Sequence, residues 1–160
     1  MGQSAVTTLD LPINGLSVSH AWLGDHATLF IELGDLSTSS KARRDGTMSN
    51  PTGEVSIQLY GDWRLEAASG ILGGNRSARA DALALLDTLI GRKVVAIHTV
   101  GRLPEIYLTL EGDYHLASFT PYEGDPDWSI ADRRNAQARW FDVRKGVLSL
   151  GGGGPTEMVR

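Results

Sequence analysis

The chain contains no cysteine, so disulfide frameworks, thiolate nucleophiles and cysteine-based metal sites are excluded. No apolar run approaches the roughly 18 residues that a membrane-spanning helix needs. Met1–Leu11 has neither the basic start nor the apolar centre of a signal peptide. Basic residues are outnumbered: 15 Lys and Arg against 19 Asp and Glu leave a formal charge of −4, which argues against a nucleic-acid surface. The cytoplasm is the expected compartment, with neither membrane nor nucleic acid as a partner.

Catalytic signatures are scarce as well. GxSxG, SxxK and KTG are missing. The four histidines, His20, His26, His98 and His115, show no HExxH or other close ligand spacing. His20 and His26 can meet across a first hairpin with Glu32 nearby. Two imidazoles and one carboxylate are a thin basis for a metal site, so no metal is assigned and no cofactor is implied.

What is abundant is glycine, 19 of 160 residues, which favours many turns and short strands over long helices. The length suits one substantial core and is short for two domains. We expect a single domain over residues 12–150, an N-terminal extension over 1–11 and a flexible tail over 151–160, where Gly151–Gly154 precedes Pro155.

Alternation of apolar and polar residues predicts strands around Leu16–Trp22, Thr28–Leu33, Val94–His98, Ser129–Ala131, Trp140–Val143 and Val147–Leu150. Asp35–Gly53 has almost nothing apolar, as expected of a loop that is mobile or functional. In EVSIQLYGDWRLEA, Glu54–Ala67, a three-residue turn at Tyr60–Asp62 pairs Leu59 with Trp63 and Ile57 with Leu65, giving one apolar face. YLTLEGDYHLA, Tyr107–Ala117, repeats the device with a turn at Glu111–Asp113. A second echo links Gly24–Leu33 with Gly101–Leu110, although shared hairpin grammar is enough to explain both. One helix is expected over Ser77–Ile90, with Ser77 as N-cap, Gly91 as the stop, and Ala82, Leu83, Leu86, Leu89 and Ile90 as its apolar stripe.

Two constellations could carry chemistry. GILGGNRS, Gly70–Ser77, precedes the helix, so Gly73, Gly74, Arg76 and Ser77 form a candidate anion site, although the segment matches neither GxGxxG nor GxxxxGK[ST]. The turn blocks Asn50–Glu54, Gly101–Glu105 and Glu123–Trp128 bring a second set. If they line one end of the sheet, Glu54, Arg64, Glu66, Arg102, Glu105, Asp125, Asp127 and Trp128 form a candidate binding cleft or a structural ion-pair network. A carboxylate site there requires Asp125, Asp127 and one of Glu54 or Glu66 within hydrogen-bond reach.

Arg44–Gly46, Asn50–Glu54, Trp63–Glu66, Gly73–Gly74, Gly101–Ile106 and Glu123–Trp128 together resemble blocks shared by a group of small uncharacterised bacterial proteins, over roughly residues 20–130. The neighbourhood is more distantly similar to immunity-type proteins of bacterial toxin systems. The resemblance implies a cytoplasmic bacterial protein and transfers no catalytic residue.

The expected fold is α+β: a mostly antiparallel sheet of about six to eight strands, with a split barrel as a variant, and one helix on one face. The expected function is noncatalytic binding of a protein partner or small ligand. An immunity-like inhibitor requires an exposed acidic or aromatic patch without a deep pocket. The alternatives are a small hydrolase using turn-block carboxylates, which needs a concave site with convergent polar groups, and a homodimeric structural protein paired through an exposed edge.

Overall fold

A computed structural model describes residues 6–38, 46, 49–123 and 126–152. In chain order the elements are β1 (Val6–Thr8), β2 (Val18–Leu23), β3 (Leu29–Leu33), β4 (Val55–Leu59), β5 (Asp62–Ala67), β6 (Gly70–Gly74), α1 (Arg79–Asp87), β7 (Val94–Val100), β8 (Glu105–Leu110), β9 (Tyr114–Phe119), β10 (Trp128–Asp132), β11 (Arg139–Arg144) and β12 (Val147–Gly152). The α+β, mostly antiparallel class holds. The single sheet of about six to eight strands does not: there are two six-stranded sheets, ordered β1-β7-β8-β9-β5-β6 and β12-β11-β10-β4-β3-β2.

The sheets share one core. Ile31, Ile57, Leu59 and Ile130 from one meet Leu65, Ile106, Leu108 and Leu116 from the other, all buried. At one corner the main chain joins the sheets: Gly15 N–H donates to Val94 O and Val94 N–H to Leu16 O, each at 2.9 Å. Among the described residues the two sheets do not close into a barrel.

The two halves of the chain follow one plan. β2-β3-β4 is an antiparallel meander, after which β5 crosses to the opposite sheet and pairs with β9 and β6. β7-β8-β9 is likewise a meander, after which β10 crosses and pairs with β4 and β11. Each sheet is therefore one half's meander completed by the other half's hairpin. Asp62 and Trp63 open the first crossing strand, and in the second Asp127 immediately precedes Trp128, which opens it. Trp63 donates its indole N–H to Ala27 O at 3.0 Å and Trp128 to Pro104 O at 3.1 Å. Ala27 and Pro104 stand at matching positions of the echoed segments Gly24–Leu33 and Gly101–Leu110.

This plan corrects the first expected hairpin. Leu59 pairs with Leu29 and Trp128, and Trp63 with Ser118, in different sheets. An apolar face shared by two strands is met equally by pairing them side by side or by setting them face to face across a core. The second hairpin stands as expected, with Leu110 opposite Tyr114 and Leu108 opposite Leu116. Gly112 and Asp113 take left-handed φ of 84° and 63° in its three-residue turn.

Other boundaries shift. Val6–Thr8 pairs with β7, and Leu9 and Leu11 are buried, so part of the expected extension belongs to the core. Gly151 and Gly152 extend β12 into the expected tail. The base of the Asp35–Gly53 loop is tied by Ser37 and Thr52, which exchange main-chain bonds of 2.7 and 3.1 Å. α1 is shorter than Ser77–Ile90 at both ends. The Ser77 hydroxyl accepts the Gly74 N–H at 3.0 Å instead of capping, and Ala78 holds the N-cap position without a side-chain bond. The helix packs against β2 and β6, the outer strands of the two sheets, burying Ala82 and Leu86 against the common core while Leu83 stays exposed.

Candidate functional site

The β7–β8 turn, the approach to β10 and the β11–β12 turn converge at one end of the molecule. Glu105 organises the approach, its two carboxylate oxygens accepting from Ser118 Oγ at 2.6 Å and from the Thr120 N–H at 2.9 Å. Asp127 is held from three sides: its N–H donates to Val143 O at 2.6 Å, its carbonyl accepts from Tyr60 N–H at 3.1 Å, and Oδ2 accepts from Gly146 N–H at 3.1 Å. Between them lies a cleft of about 260 Å³ lined by Leu103, Glu105, Thr120, Tyr122, Asp127 and Lys145. Two acceptors belonging to lining residues, Asp127 Oδ1 and Thr120 Oγ1, are shielded from water and have no partner. Leu103 and Tyr122 on its rim are 51% and 60% exposed. A second hollow, of about 270 Å³, begins at the adjacent Phe119, itself 62% exposed, and runs over Asp62–Arg64.

Of the expected cleft residues, Glu105 and Asp127 meet here, with Trp128 anchoring the strand beneath and Arg102 exposed in the β7–β8 turn. Arg64 borders the second hollow and pairs with Glu66 at 2.8 Å on the outer face of its sheet. Burial, followed by the Glu66 carboxylate, pushes neighbouring Tyr107 above the ordinary phenol range. Glu54 lies elsewhere, accepting the Asp35 N–H at 2.9 Å. It precedes Val55, which pairs with Asp132, whereas Asp127 precedes Trp128, which pairs with Leu59. The two carboxylates thus sit at opposite ends of the β4–β10 pair, which removes the carboxylate site built on Asp127 and Glu54. Asp125 lies outside the described residues.

The expected anion turn is largely a strand. Gly73 and Gly74 pair with Leu65 and Arg64 in β6, the Gly74 N–H is taken by Ser77, and Arg76 lies 3.8 Å from Asp62. The histidines do not converge either. His20 faces Glu32 across the β2–β3 hairpin and bonds to Asn50 at 3.0 Å, while His26 lies in the turn at the hairpin's end. His115 sits between Asp113 at 2.7 Å and Thr109 at 3.2 Å, outside both hollows. Among the described residues no group of three His, Asp or Glu side chains is placed to hold a metal.

Sequence reasoning missed a second polar cluster, on the strands at the centre of the other sheet. Glu32 is buried and accepts from Ser56 Oγ and from Gly53 N–H at 2.9 Å, while Arg133 donates to Ser56 Oγ at 2.7 Å. Desolvation raises the Glu32 carboxyl above its ordinary range, and these bonds oppose it without cancelling it. Asp132, also buried, accepts a fork from Arg134, Nε and Nη2 each at 2.9 Å, and that guanidinium holds its carboxyl below the ordinary range. The available signal was charge at strand positions whose neighbours are apolar.

No family model matches the chain, and no curated protein or solved structure matches it either. The chemistry of the turn end must be read from its own geometry. It offers acceptors, acidic walls and an apolar rim, and among its lining residues no hydroxyl is paired with an imidazole.

Proposed function

We propose that this chain is a noncatalytic binding domain of the bacterial cytoplasm, and that a protein partner docks at the turn end by inserting a basic side chain. The observation that carries this reading is the juxtaposition of exposed Leu103, Tyr122 and Phe119 with a cleft walled by Glu105, Glu123 and Asp127. Apolar and aromatic residues around a few polar groups make an interface centre, and acidic walls select a cationic complement.

The chain contains its own example of that complement. At the matching position of the first half, Asp62 is met by the Asn75 amide at 2.8 Å and by the Arg76 guanidinium at 3.8 Å. Asp127 has the Gly146 N–H on one oxygen and no donor on the other. An unmet buried acceptor costs about 1–3 kcal/mol, which a donor recovers once the rim moves aside to admit it. The bacterial and cytoplasmic setting follows from the resemblance of the turn blocks. An immunity-like inhibitor needs the same kind of exposed aromatic patch without a deep pocket.

Titration of the ¹⁵N-labelled protein with N-acetylarginine amide, and with N-acetylglutamate amide as control, tests the reading. The Thr120, Asp127 and Gly146 amides are expected to move with the arginine compound alone, and Asp127→Asn to abolish the response. Amides that stay put, or that answer both compounds equally, overturn it.

A further inference from the structure

The two halves end differently, and the difference leaves the outer side of β12 without a neighbour among the described residues. After β6 the chain enters α1, which packs against β2 and β6. The pairing of β2 is interrupted by an irregularity between Val18 and His20, and that of β6 by one opposite Leu65 and Glu66. After β11, by contrast, the chain forms β12, which pairs without irregularity over Val147–Gly152 and has no strand on its outer side among the described residues. VLSLGG holds no charge and no proline. Val147, Leu148 and Leu150 are 65%, 39% and 70% exposed. Bulges, charges, prolines and covering elements are the usual protections of an edge strand, and among the described residues β12 has none of them.

The turn before β12 determines what that edge presents. Lys145 and Gly146 both have left-handed φ, 51° and 75°, in a two-residue loop closed by Arg144 opposite Val147. The closing pair of such a hairpin exchanges both main-chain hydrogen bonds. Strict alternation then directs the N–H and C=O of Leu148 and Leu150 away from β11. Their side chains lie beside Val143 and Phe141, both buried, and so continue the core face past the last strand.

We propose that β12 pairs with β12 of a second copy, antiparallel, about a two-fold axis at Ser149. That register sets Leu148 opposite Leu150 of the other copy and Leu150 opposite Leu148. Val147 faces Gly151, over which the Trp140 indole of the same copy already lies, so the Val147 side chain meets that ring. The outward N–H and C=O groups then make roughly four intermolecular bonds. No charged residue of the strand meets its like. The sequence around Ser149 is thus complementary to itself, as an isologous interface requires.

Sedimentation velocity on the full chain over a wide concentration range is expected to show monomer and dimer in exchange. Leu150→Lys, at an exposed position, is expected to weaken association at least tenfold with an unchanged melting curve. Ser149→Cys gives the register. A non-hydrogen-bonded antiparallel pair has Cα atoms about 4.5 Å apart, within the roughly 4.4–6.8 Å that a disulfide spans. In this cysteine-free chain S149C should therefore oxidise to a covalent dimer, while V147C, far from its own copy, should not. A wild-type chain that stays monomeric throughout, a dimer indifferent to L150K, or equal cross-linking of S149C and V147C would each overturn the proposal.

Discussion

The two halves of the chain share a connectivity and differ in how they are closed. In the first, Asp62 finds Asn75 and Arg76 in the segment after β6, and α1 then covers the sheet edges. In the second, Asp127 finds one backbone N–H in the β11–β12 turn, retains an unmet oxygen, and the chain goes on into β12, which has no outer neighbour among the described residues. A common plan is thus completed in one half and left with an unmet acceptor in the other. The second half spends its charged pairs elsewhere. Where β5 ends in Ala67, β10 ends in Asp132, forked by Arg134, and this cluster is structural because nearly all its groups face one another. Arg139 Nε is the one buried donor it leaves unmet.

The most severe way to probe the comparison is at the crossing tryptophans. Trp63 and Trp128 are both buried, and each ties its strand to the first turn of its own meander. Trp63→Ala and Trp128→Ala are each expected to cost about 3–5 kcal/mol in urea unfolding, and losses of similar size would confirm that the positions do the same work.

Asp132→Asn comes next, with an expected loss of about 3 kcal/mol because it takes the charge from a buried carboxylate that anchors the half-buried Arg134 guanidinium. Because the folded carboxyl titrates below its unfolded value, the stabilisation by Asp132 is present above the ordinary carboxylate range. It disappears as pH falls through the lowered value. Glu32 acts with the opposite sign. Its folded carboxyl titrates above 4.5, so its contribution is greatest in acid and is lost as pH rises through the raised value. Glu32→Gln, whose side-chain oxygen can still accept from Ser56 and Gly53, should remove that decline and leave the Asp132 limb in place, as read from melting temperatures across pH.

The smallest effects are expected at the paired aspartates. Asp62→Asn gives up an exposed ion pair worth about 0–1 kcal/mol. Asp127→Asn retains an acceptor for Gly146 and should change stability by no more than about 1 kcal/mol, while eliminating the response to N-acetylarginine amide. A large destabilisation by D127N would make the Asp127 carboxylate a structural element and end its role as a docking group.

Most strands were legible because each half-buried strand shows a period of two. The Glu111–Asp113 turn was legible because only one register keeps Leu108 and Leu110 with Leu116 and Tyr114. The pairing partners of β4 and β5 were not, since the same alternation serves a neighbour in a sheet and a neighbour across the core. β6 was hidden behind its glycines, which look like a turn until Leu65 and Arg64 are found opposite Gly73 and Gly74. At the candidate site, Glu105 and Asp127 could be named from turn composition. Thr120 and Lys145 could not, because only the approach of three separate turns gives them a cleft to line.

By itself the sequence determined which residues face an interior, where the chain turns, and that no cysteine chemistry is available, because these depend on local pattern and composition. Tertiary structure alone decided that the halves exchange a hairpin, that Asp62 is matched while Asp127 is not, and that β12 has no further strand beside it among the described residues. Those outcomes depend on which distant segment arrives beside each group, and the residues of a strand do not encode their neighbour across the core.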